Sequence, residues 1–156
     1  MKKKTILAFA LLMAMTCIVC TPKSGSGKAD PESDFKVEPV DGGKSIQIKE
    51  YEGDKWEINI PSRIRGLSVT HIGDVAFYRK NLTKVTIPNS VTYIGTGAFE
   101  ENQLTSITIG SNVELKRDAY GDPPFNDGFF QTYNNSGRAA GTYTRPSTNT
   151  RDWTKN

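Results

Sequence analysis

The chain has 156 residues and a formal net charge of +3 at pH 7. Lys2, Lys3 and Lys4 account for that excess, and the remaining Lys and Arg balance the Asp and Glu. One ordinary domain fits this length, and near-neutrality excludes a net field that would draw the chain to nucleic acid or an anionic membrane.

The three lysines are followed by an apolar run, "ILAFALLMAM", from Ile6 to Met15. A basic start followed by a short apolar stretch is the pattern of an export signal, here residues 1–20, and is too short to span a bilayer. The only cysteines, Cys17 and Cys20, lie at its end. Beyond them no internal disulfide or cysteine metal site can form. A cysteine at this junction resembles the acceptor of a bacterial lipoprotein signal. That resemblance implies lipid attachment at Cys20, or alternatively Cys17. The alternative is a secreted protein whose cysteines are removed with the signal.

Residues 21–43 are rich in Pro, Gly, Ser, Lys and Asp, with Phe35, Val37 and Val40 as the larger apolar groups. Such composition predicts a flexible tether, spanning roughly 25 Å root-mean-square. Order is expected from Lys44. "SIQIKEY" and "KWEINIP" both alternate apolar and polar residues around "EGD". This pattern predicts an N-terminal β-hairpin cap, with Ile46 and Ile48 facing Trp56, Ile58 and Ile60. The cap and an entry loop occupy residues 44–68.

Residues 69–115 repeat. "VTHIGDVAF" at 69–77 returns as "VTYIGTGAF" at 91–99, a step of 22 residues. At the same step "LTKVTIP" at 82–88 becomes "LTSITIG" at 104–110. With five more residues, "INIPSRIRGLSVTHIG" falls on "VTIPNSVTYIG". A fixed period near twenty predicts stacked coils of one supersecondary unit. Leu82, Val85 and Ile87 have the spacing L-x-x-L-x-L, and the last two share one face of a short strand. Placed ~4.8 Å from its neighbour, each coil completes a parallel backbone ladder and an apolar column. Val85, Ile87, Ile107 and Ile109 are the expected strand core, with Phe77 and Phe99 as successive buried plugs. Gly73 and Gly95 are expected where a Cβ would be costly.

"IPSRIRGLSVTHIGDVAF", "LTKVTIPNSVTYIGTGAF" and "LTSITIGSNVEL" resemble the BspA-like, or treponemal-type, bacterial leucine-rich repeats over roughly residues 45–115. That resemblance implies a mostly β leucine-rich repeat solenoid with short parallel strands. It further implies a surface-exposed protein without catalytic residues, of a family in which several members are regarded as adhesins for host matrix proteins or other bacteria.

Residues 116–156 hold seven of the fifteen aromatic residues. Phe125, Phe129, Phe130 and Tyr133 fall on one face of a short helix entered after "DPP" and ended at Gly137. "GTYTRPSTNTRDWTK" predicts a hairpin carrying Tyr143 and Trp153. The segment is expected as an aromatic-rich α+β C-terminal cap over the last coil, in preference to a sugar-binding platform.

Signals of chemistry are sparse. His71, the one histidine, occupies the repeat position of Tyr93 and is expected as a surface side chain. "DAYGD" at 118–122 lacks the continuation of a calcium loop. No enzyme, metal, cofactor or small-molecule substrate is expected. If Val85 and Ile87 point inward, their neighbours form an outward polar stripe: Glu57/Asn59, Lys84/Thr86 and Ser106/Thr108. The expected function is a lipid-anchored binding module or adhesin, at the outer membrane or cell surface, whose partner is a protein. The alternative is a structural, self-assembling envelope or periplasmic lipoprotein.

Overall fold

The computed structural model describes residues 27–156. The signal segment, Cys17, Cys20 and residues 21–26 lie outside the described residues. Two sheets face each other across one apolar core. The first contains β1 (Phe35–Val40), β2 (Ser45–Tyr51), β5 (Leu67–Ile72), β7 (Tyr93–Ile94) and β9 (Glu114–Leu115) in that order. A two-residue β4 (Arg63–Ile64) pairs with β5. The second sheet runs β11 (Thr154–Lys155), β10 (Gly141–Thr144), β8 (Ser106–Ile109), β6 (Lys84–Thr86) and β3 (Glu57–Asn59). The chain alternates between the sheets from β2 to β9, so each circuit is one solenoid coil, and about three coils are stacked.

The registers follow the sequence steps. Glu57–Asn59 lies on Lys84–Thr86, which lies on Ser106–Thr108, all parallel. His71 and Ile72 lie on Tyr93 and Ile94. The longer first coil spends its five extra residues on β4 and its turn, where Arg65 and Gly66 both have positive φ. Val85, Ile87, Ile107 and Ile109 are buried, and Leu82 and Leu104 close the same column.

Phe77 and Phe99 stack at 4.8 Å between ring centroids. The column extends beyond them in both directions. Tyr51 stacks under Phe77 at 5.6 Å, and Phe125 stacks on Phe99 at 4.8 Å. Phe129 then meets Phe125 edge-on and gathers Tyr133, Tyr143 and Trp153 around it. These rings are all buried, so they offer no aromatic platform to a ligand.

Gly73 and Gly95 are needed for close approach, not for an unusual backbone. A Cβ on Gly95 would lie 2.6 Å from the Asp74 amide nitrogen, and one on Gly73 would lie 3.0 Å from the Ile48 carbonyl oxygen. No side chain fits between coils that touch so closely. The left-handed turn falls two residues later, at Val75 (φ 52°) and its repeat mate Gly97 (φ 60°).

Two expectations need correction. "SIQIKEY" and "KWEINIP" do not form a hairpin. β2 joins β1 and β5 in one sheet, while β3 joins β6 in the other. Residues 52–56 turn a corner of the coil, and Trp56 is left 45% exposed. The reason is the Tyr51 amide, which donates to the Ala76 carbonyl and commits Tyr51 to the aromatic column. The hairpin is instead β1–β2, which corrects the second expectation: the tether does not run to residue 43. Phe35 packs on Tyr51 and Phe77, burying enough apolar surface to order the strand. Lys28–Asp30 is ordered as well. The Asp30 amide donates to the Asn59 carbonyl, its carboxylate accepts from the Asn59 amide, and Lys55 pairs with it.

The helix α1 spans Phe129–Asn135 and directs Phe129 and Tyr133 inward. It starts after Phe125, because that ring is already committed to the column. β10 pairs with β8 in the antiparallel sense and with β11, so the tail returns along the sheet as a hairpin.

Candidate functional site

Strand alternation builds the stripe. With Ile58, Val85 and Ile107 buried, their neighbours face outward. Register then sets one row of Glu57, Lys84 and Ser106 and a second of Asn59, Thr86 and Thr108. All six sequence-predicted residues are therefore brought together on one sheet. Lys84 is exposed and the other five are half-buried.

The rows do not stop at β8. Thr144 stands beside Ser106 and Thr142 beside Thr108, around the buried Tyr143. Thr154 continues the first row on β11. Thr108 Oγ1 and Thr142 Oγ1 share a hydrogen bond at 2.9 Å. Sequence reasoning missed Thr142 and Thr144. The signal was present in "TYT", which alternates around an inward ring as "SIT" does around Ile107. The opposite end of the stripe is bounded by the ordered N-terminal segment. There Asn59 Nδ2 donates to the Lys28 carbonyl, and the Asp30 carboxylate raises the Lys55 ammonium pKa.

The two ends differ in chemistry. Glu57 and Lys84 place opposite charges on adjacent strands, while Ser106, Thr108, Thr142 and Thr144 form an uncharged hydroxyl field. Such a surface can donate and accept hydrogen bonds along two parallel rows.

The other sheet carries a second outward row. Gln47, His71, Tyr93 and Glu114 are neighbours across β2, β5, β7 and β9. His71 packs on Tyr93 at 5.3 Å and shares a hydrogen bond with Thr70. It sits at the surface of the repeat, half-buried. Burial raises the Tyr93 pKa, with Asp74 and Glu114 adding to the effect. The "DAYGD" loop closes on itself: Asp118 Oδ1 accepts from the amides of Tyr120 and Asp122. Among the described residues, no group of His, Cys, Asp and Glu is placed to hold a metal ion. No described helix is long and apolar enough to cross a membrane.

Residues 55–121 match the family described as BspA type Leucine rich repeat region (6 copies). Over these residues the chain is similar to BspA-type leucine-rich repeats. All three parallel strands of the stripe lie inside the matched residues, whereas Thr142 and Thr144 lie beyond them. Two solved structures are similar. A leucine rich repeat protein of T. pallidum is 34% identical over 47% of this chain and 35% of its own, with a TM-score of 0.46. A leucine rich cell surface protein from Faecalibacterium prausnitzii is 30% identical over 56% of this chain and 25% of its own, with a TM-score of 0.47. The chain thus spans about a third and a quarter of those two chains. No curated protein matches it.

Proposed function

We propose that this protein is an exported, lipid-anchored surface module that binds a protein through the stripe on β3, β6, β8 and β10. The observation that carries this reading is the continuity of the two polar rows. They cross the parallel strands in register and pass onto β10 without a break. An uninterrupted polar face suits hydrogen bonding to a partner's main chain and polar side chains. The match to BspA-type repeats supports the location. The partner is an extracellular matrix protein or a protein of another cell's surface. The sheet is roughly 20 Å across, so one copy offers less than a standard interface, and firm attachment depends on many copies acting together. The reading assigns no catalytic step to any residue.

Two measurements test it. Bacteria producing the full chain are assayed on matrix-coated wells, with Lys84→Glu/Thr86→Ala beside the parent. Loss of adhesion with an unchanged unfolding midpoint is expected, and unchanged adhesion removes the stripe from the mechanism. Palmitate labelling of Cys20→Ala and Cys17→Ala, with added protease on intact cells, checks anchoring and exposure. Protection from protease favours a self-assembling periplasmic role.

A further inference from the structure

A groove opens between the turn that leads into β8 and the segment that follows β10. One wall is residues 100–104. The other is built from residues 126–127 and 148–151, and the open groove between them has a volume of about 480 Å³. That volume falls in the range of small-ligand sites.

The groove is held rigid from below. Arg145, buried, donates from Nε to the Leu104 carbonyl at 2.6 Å and from its guanidinium to the Thr150 carbonyl at 2.9 Å. It also pairs with Asp127 at 3.3 Å. Trp153 Nε1 donates to the Asp127 carbonyl at 3.2 Å. Gly128 lets the second wall close, because a Cβ there would lie 2.8 Å from the Arg151 carbonyl oxygen. These contacts tie the two walls together without using Gln103, Asn126, Thr148 or Asn149.

The lining includes the uncharged polar side chains of Gln103, Asn126, Thr148 and Asn149. All four are exposed, and none has a side-chain partner among the described residues. Each amide offers a donor and an acceptor together, and the threonine hydroxyl does the same. A sugar hydroxyl has that same dual character. The charged residues of the lining carry both signs: Glu100, Glu101 and Asp127 against Arg145 and Arg151. Burial, with Asp122, Glu101 and Asp118, raises the Glu100 pKa, a setting that disfavours an anion. An apolar ligand would cover the amides and leave them unpaired, at a cost.

We propose that this groove binds a neutral saccharide of one or two pyranose rings, held by Gln103, Asn126, Thr148 and Asn149. The site is separate from the stripe and needs no residue of it.

The test uses the full chain purified in detergent, read against an array of neutral mono- and oligosaccharides. The free sugar giving the strongest signal is then titrated by calorimetry. Saturable binding to a neutral glycan is expected. Gln103→Ala and Asn149→Ala should each weaken it about tenfold without moving the unfolding midpoint. Lys84→Glu/Thr86→Ala should leave it unchanged, which separates this site from the stripe. An array with no neutral-glycan signal overturns the proposal. So does full binding by the Gln103→Ala/Asn149→Ala double variant, or sugar binding that is lost with the stripe variant.

Discussion

Phe77 and Phe99 lie with their rings 7° from parallel, one coil apart and both buried. Their contact is the repeat expressed as packing: the 22-residue step places the same ring at the same depth in consecutive coils. Truncating either should cost about 3–5 kcal/mol. Because the rings touch, the double variant Phe77→Ala/Phe99→Ala should deviate from additivity by about 0.5–1.5 kcal/mol. Urea unfolding of the four forms measures this coupling. Additive losses would mean that the two rings do not share one column.

Asn102 joins the same two coils through its side chain. Its Nδ2 donates to the carbonyls of Phe77, Phe99 and Glu100, while its Oδ1 accepts from the amides of Lys80 and Leu82. Asn102→Ala leaves five backbone groups without that partner and should cost about 3 kcal/mol. Gln103→Ala, one residue on and exposed, should stay within about 0.5 kcal/mol of the parent. Equal midpoints for the two variants would contradict the bridging role of Asn102.

Val75 holds a left-handed backbone that a β-branched residue rarely adopts, and it is 58% exposed. Its repeat mate Gly97 adopts the same turn without a Cβ. Val75→Gly should therefore raise stability by about 1 kcal/mol, a gain of a few degrees in Tm. Gly97→Val should lower it. A thermal melt of both variants checks the opposite signs.

Tyr51 gives the protein an alkaline limit. Burial pushes its hydroxyl up to about 12, and the Lys55 amide, which donates to it, pulls the other way. An unfolded tyrosine titrates near pH 10, so between about pH 10 and 12 the unfolded chain loses a proton that the folded chain keeps. This contribution is complete below pH 10 and is lost as pH rises through 12, a change on the order of 2 kcal/mol. Urea midpoints at pH 9 and 11.5 should fall less in Tyr51→Phe than in the parent. An identical fall in both forms would assign the alkaline loss to other groups.

The coils were legible because matching residues recur at one offset, and Val69, Ile72, Ala76 and Phe77 carry the pattern without ambiguity. The stripe followed from strand parity alone. The first coil was harder to read. "EGD" between two alternating segments has the form of a hairpin turn, and only the alignment of Tyr51 with the Phe77 position separates a coil corner from a hairpin. In the same way, Phe35 and Val37 alternate as a strand does, but the surrounding Gly, Pro and Asp suggested coil. Their order depends on a distant ring, Phe77, which no local window contains. The five backbone partners of Asn102 arise from two coils and are invisible in a linear reading. The groove is built from three separated segments and left no local signal.

The docking of Lys28–Asp30 against Asn59 sets a leash length. Attachment at Cys20 would leave eight Cα steps to Lys28, a reach of at most about 28 Å. The β3 margin of the sheet would then ride close to the lipid headgroups, with the threonine-bearing strands pointing away from the bilayer. A partner arriving from outside the cell would meet hydroxyl groups first and the Glu57 and Lys84 positions last.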